Sequence, residues 1–113
     1  MESILTSIKK LLGIAEEYTQ FDADIIMHIN STFAILTQIG VGPSTGFMID
    51  DKSDSWDDFL DDDPRVEMVK SYMGMKVRLL FDPPTSSAVM EALNRSISEF
   101  EWRLSVLVDP GDS

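Results

Sequence analysis

The absences in this chain narrow it before anything present does. It has no cysteine. That excludes disulfides, thiolate metal sites and cysteine nucleophiles, and it fits an intracellular or virion setting better than a small secreted scaffold. No stretch approaches the roughly 20 apolar residues of a membrane span. The first residues do not read as a signal peptide: Glu2, Ser3, Thr6 and Ser7 break any apolar run, and no basic stretch precedes one. Histidine occurs once, as His28. Positive charge is scarce, with 9 bases against 20 acids and a net charge of −11. Such a surface repels phosphate and anionic lipid, so tight nucleic-acid or membrane binding is not expected. Glycine-rich phosphate loops are missing too. The glycines of Ile39-Gly40-Val41-Gly42-Pro43 follow a helical pattern rather than open one, so they read as a stop signal.

What is present is an ordinary apolar fraction, 43% of 113 residues, enough for one small domain over residues 1–113. No repeat and no linker divides it. The expected fold is all-α, a small bundle of about four helices with two long C-terminal ones and an acidic central loop.

The first helix is short. Ser3 caps it and Gly13 stops it. Ile4, Leu5, Ile8, Leu11 and Leu12 form its apolar face, with Lys9 and Lys10 near its end, where cations suit the helix dipole. The second helix runs from about Asp24 to Ile39, capped by Asp22 or Asp24 and ended by Gly40. Ile25, Ile26, Ile29, Phe33, Leu36 and Ile39 make its buried stripe. Met27, Asn30, Ser31, Ala34 and Gln38 form a second, small and weakly polar face. The turn signals of residues 42–46 then lead to Phe47-Met48-Ile49, an apolar run that needs cover from the core or from a neighbour.

Residues 50–63 read DDKSDSWDDFLDDD, eight aspartates and one lysine. A helical turn or two is expected within residues 53–60, with Trp56, Phe59 and Leu60 turned inward. The like-charge pairs Asp57/Asp61 and Asp58/Asp62 oppose anything longer. Asp51, Ser53, Ser55 and Asp57 imitate the first oxygen positions of a calcium loop, with Asp62 at the last. Trp56 stands where the sharp turn needs glycine, however, and the last position should be a glutamate. A solvated acidic loop is the expected reading, with no metal and no cofactor.

The third long helix spans about Pro64 to Phe81. Val66, Val69, Met73, Val77 and Leu80 share one face, and Met68, Tyr72, Met75 and Leu79 the opposite one. A helix apolar on two sides is either enclosed by the fold or shared with a partner. Gly74, in its middle, costs roughly 1 kcal/mol against alanine and would allow a close helix approach. Asp82-Pro83-Pro84 ends the helix. Thr85, Ser86 or Ser87 caps the last one, which continues to about Val108 before a flexible tail, residues 109–113. Its stripe is Val89, Met90, Leu93, Ile97, Phe100, Leu104, Leu107 and Val108. The other face pairs Glu91 with Arg95 and Glu99 with Arg103, and it also carries Trp102 and Val106. An indole on such a face marks a contact, either with a partner or with another part of the chain.

Catalytic chemistry finds little support. His28, at the edge of an apolar face, reads as a structural histidine. No serine or acid stands at a spacing that demands it, and no enzyme is expected. The candidate interface residues are Phe47, Met48, Ile49, Met68, Tyr72, Met75, Leu79, Trp102 and Val106.

Three stretches carry a family resemblance. The first is Ile8-Lys9-Lys10-Leu11-Leu12-Gly13-Ile14, followed by Asp22-Ala23-Asp24-Ile25-Ile26. The second is Ile39-Gly40-Val41-Gly42. The third is Val69-Lys70-Ser71-Tyr72, then Arg78-Leu79-Leu80-Phe81-Asp82-Pro83-Pro84-Thr85-Ser86-Ser87. In these the chain resembles the head–tail connector, or adaptor, proteins of long-tailed phages and prophages. The resemblance implies a structural virion protein at the neck, assembled in the host cytoplasm. It implies a ring, typically of twelve copies, beneath the portal protein. That ring extends the DNA channel without binding DNA specifically and offers a platform to a neck, stopper or tail-completion protein. The C-terminal helix and tail are candidates to meet the portal. The competing reading is an acidic binding module, a DNA-mimic-like regulator of a basic partner, acting through residues 50–63.

Overall fold

The computed structural model describes residues 2–61 and 63–108, with side chains as far as Val106. Five helices follow one another: α1 (Ile4–Leu11), α2 (Asp22–Ile39), α3 (Trp56–Phe59), α4 (Arg65–Phe81) and α5 (Ser87–Val108). Four are the expected helices, and α3 is a single turn within the acidic tract. Among the described residues there is no strand, only one antiparallel bridge between Ser3 and Ser55. Asp62 and the expected tail, residues 109–113, lie outside the described residues.

Local chemistry sets most helix ends. Ser3 caps α1 by accepting the Thr6 N–H at 3.2 Å. At the end of α2, Gly40 takes a left-handed φ of 103°, and the Gly40 and Val41 N–H groups both return to the Leu36 carbonyl at 2.9 Å. A side chain at position 40 would strain that turn. Pro64 precedes α4, and the Asp63 carboxylate accepts the Arg65 N–H at 2.9 Å while holding its guanidinium. Ser86 caps α5 through the Val89 N–H.

The start of α2 departs from expectation. Its N-cap is Phe21, with no side-chain cap. Asp22 serves elsewhere: its Oδ1 lies 2.8 Å from the Lys9 ammonium. Lys9 does not extend to solvent along the α1 dipole. Its side chain is 3% exposed and donates to the Glu16 and Tyr18 carbonyls at 2.9 and 2.8 Å. A buried ammonium is tolerated only with such partners. Lys9 thereby ties α1 to the following turn and to the first residue of α2.

The core joins all five helices around α4, which packs against α1, α2 and α5. Val69, Tyr72, Met73 and Val77 of α4 are fully buried, and Met68, Met75 and Leu79 pack against the core from its other sides. The doubly apolar pattern of α4 is thus taken up inside the chain. Gly74 leaves room for a side chain of α1: a Cβ there would lie 2.8 Å from Leu11 Cδ1. Among the described side chains, three expected inside stand outside. Leu11, Leu80 and Val89 are exposed; each sits at the end of its helix's stripe, and Leu11 reaches α4 at Gly74, which has no side chain to cover it.

The acidic tract is more than a loop. Trp56 and Phe59 are buried. The Trp56 indole N–H donates to Ser7 Oγ at 2.8 Å, and Ser7 passes its own hydrogen to the Ile4 carbonyl. Phe33 stands between Trp56, Phe59 and Phe47, with ring centroids 6.3, 4.7 and 5.0 Å away.

Candidate assembly interface

The candidate surfaces follow from what this core leaves uncovered. In α5, Ile97 and Leu104 are buried, and Met90, Leu93 and Phe100 are half-buried beside them. On the outer face Trp102 is 67% exposed and Val106 51%. Glu99 and Arg103 pair there at 2.7 Å, in the acid-first order that suits a helix. Among the described residues, none covers more than a third of Trp102.

The Phe47-Met48-Ile49 run divides. Ile49 is buried and is not surface at all. Its N–H donates to Asn30 Oδ1 at 2.8 Å, and its carbonyl accepts from Asn30 Nδ2 at 3.0 Å. One asparagine thus satisfies both backbone groups, as a neighbouring strand would. Phe47 packs into the aromatic cluster around Phe33. Met48 alone turns outward, 68% exposed. With Met27, Ser31 and Ala34 of α2 it lines a shallow groove of about 800 Å³ that has no charged side chain in its lining.

Tyr72 is a second correction. It is fully buried, and its hydroxyl donates to Glu101 Oε2 at 2.7 Å. Burial, then the Glu101 carboxylate, pushes the phenol well above its ordinary range. It pins α4 to α5 and offers nothing to a partner. Met68, Met75 and Leu79 are half-buried and belong mainly to the core periphery.

A groove of about 820 Å³ runs between α1, α4 and α5. Leu11, Met75, Leu93 and Phe100 supply its apolar part, and Lys10, Lys70 and Arg78 its bases. Lys70 is occupied by Glu2 at 2.8 Å and Glu67 at 3.5 Å. This groove was not apparent from the sequence, because its walls come from three separate helices. The one available signal was the glycine at 74, whose missing side chain leaves Leu11 room on α4.

The acidic tract turns its carboxylates on its own backbone. Asp51 accepts from the Ser53 N–H at 2.8 Å, Asp54 from the Asp50 N–H at 2.7 Å, and Asp58 from the Ser55 N–H at 3.0 Å in a capping box. The hydrogen bonds from Ser53 hold the Asp51 carboxyl below its ordinary value. Asp62, the last position of the imitated calcium loop, lies outside the described residues. Among those described, no group of three His, Cys, Asp or Glu is placed to hold a metal ion. His28 is half-buried, with its ring edge-on to Phe81.

The described surface therefore offers exposed apolar contact at Trp102, Val106, Met27 and Met48. A family model described as phage connector protein matches residues 4–111. The chain belongs to the phage connector proteins. No curated protein matches it, and no solved structure does. This phage connector has a structural role, as its family does. Among its described residues, no helix is long and apolar enough to cross a membrane.

Proposed function

We propose that this connector forms a ring beneath the portal of a long-tailed phage, typically of twelve copies, extending the DNA channel and presenting a platform to the next neck, stopper or tail-completion protein. The observation that carries the reading is the outer face of α5. Trp102 and Val106 stand uncovered there, in a chain that matches the connector family along nearly its whole length. A large exposed indole on a rigid helix is a typical anchor for a protein partner. The net charge of −11, multiplied around a ring, keeps DNA from adhering to the wall. The acidic tract suits a surface role: Asp51, Asp54 and Asp58 close its own turns, which leaves fewer carboxylates for capturing a basic partner.

The test is native mass spectrometry of the connector mixed with portal from the same genome. A ring of connector stacked on portal is expected, and its mass gives the copy number. No association between folded connector and intact portal would overturn the proposal. Trp102→Ala is expected to weaken that assembly while the isolated chain keeps its helical circular dichroism.

A further inference from the structure

Two surfaces of this molecule complement each other, and no residue lines both. One is the groove between α1, α4 and α5. Leu11, 59% exposed, and Met75 give it an apolar wall; its acids, Glu2 and Glu67, are paired with Lys70, and Lys10 and Arg78 are its remaining charges. Neither base has an ion-pair partner among the described residues. Two uncommitted bases beside one groove matter in a chain with only 9 bases.

The other surface is the methionine face of α2, where Met27 and Met48 are 56% and 68% exposed. Its lining is uncharged, but its margin is acidic. Asp24, exposed, precedes Met27 by three residues and so shares its helix face. Asp50, also exposed, follows Met48, with the buried Ile49 between them.

Two copies of net charge −11 repel each other unless their contact sets base against acid. A two-fold contact uses one patch twice. Built on either patch alone, it would place Lys10 and Arg78 of one copy against those of the other, or Asp24 and Asp50 against theirs. Groove against methionine face does the reverse: bases meet acids, and apolar surface is buried on both sides. Made once per copy, a contact between two different patches runs head to tail, the arrangement that closes into a ring where the rotation between copies allows.

We infer that the α1–α4–α5 groove of one copy receives the Met27–Met48 face of the next, with Lys10 and Arg78 opposite Asp24 and Asp50. The inference rests on the ring reading and names the contact that closes the ring. Trp102 and Val106 remain outward for a partner other than the neighbouring copy.

The absence of native cysteine makes the test clean. Leu11→Cys and Met48→Cys, both at exposed positions, are combined in one chain. The chain is assembled on portal and treated with a short bismaleimide. A ladder of covalent multimers rising to the ring size is expected from the double variant, and no ladder from either single variant. A ring seen by native mass spectrometry without that ladder overturns the contact and leaves the ring reading standing. If the parent chain forms no ring on portal, the ring reading fails and the contact with it. Charge reversal gives a second arm. Lys10→Glu/Arg78→Glu is expected to lose the ring, and adding Asp24→Lys/Asp50→Lys to restore it. A fourfold variant that stays folded but does not regain the ring counts against the pairing.

Discussion

Helices α4 and α5 both carry apolar residues outside their main stripe, and these meet different fates. In α4 three other helices cover both sides, and Tyr72 and Met73 disappear from the surface. In α5, among the described side chains, only Ile97 and Leu104 sink fully, while Trp102 and Val106 remain outside. The apolar pattern counts the faces a helix can bury. It does not say whether the cover comes from the same chain. The two tryptophans mark the contrast. Trp56 lies in the core with its N–H on Ser7, and Trp102 lies two-thirds exposed on the outermost helix.

Breaking the covered side should have the largest effect. Trp56→Ala removes an indole from the aromatic cluster and leaves Ser7 without its donor. A loss of roughly 3–5 kcal/mol is expected, read as a lower urea midpoint. Lys9→Met comes next. It strips the cation from Asp22 and from two carbonyls, and about 3 kcal/mol is expected, the lower end for a broken buried pair because Asp22 keeps some contact with water. Replacing Asp22 by leucine as well should recover part of that loss.

Tyr72→Phe tests the seam between the two helices. Losing the bond to Glu101 should cost about 1 kcal/mol. The same bond makes a pH prediction. The folded chain holds the Tyr72 proton more tightly than the unfolded chain, because burial and Glu101 raise its pKa. The stability from this group is therefore complete below the ordinary tyrosine value of about 10 and is lost as pH rises beyond it. In the parent chain the urea midpoint should fall above pH of about 10, and in Tyr72→Phe that part of the fall should be missing.

Gly74→Ala should change stability in the opposite direction. The new Cβ meets only the tip of Leu11, an exposed side chain that can rotate away. Alanine's higher helix propensity should then add roughly 0.5–1 kcal/mol, seen as a higher Tm. Trp102→Ala should have the smallest effect on the isolated chain, within about 0.5 kcal/mol. A large loss of stability there would mean that the indole belongs to the core and that the contrast between α4 and α5 is false.

How far the sequence could be read depended on the range of the interaction concerned. Ser3, Gly40, Pro83 and the Thr85-Ser86-Ser87 run announced helix ends because capping involves only a few neighbouring residues. The inward turn of Trp56 and Phe59 followed from their spacing. Lys9 gave no such sign. Its partners are two carbonyls and Asp22, up to 13 residues away, and only the turn between α1 and α2 brings them together. The misplacing of Ile49 and Tyr72 has the same origin. Asn30 is 19 residues from Ile49, and Glu101 is 29 from Tyr72. The face of a helix is legible in its period, but the element opposite that face is not.

By itself, then, the sequence determined the helices, most of their stops, the acidic charge and the exclusion of thiol chemistry, since these depend on residue type and near neighbours. The tertiary structure decided which apolar faces are covered. It enclosed α4, left the outer face of α5 open, drew Lys9 inside and built a groove from three helices. Burial is a property of pairs of elements distant in the chain, and their meeting is settled only when the whole core packs.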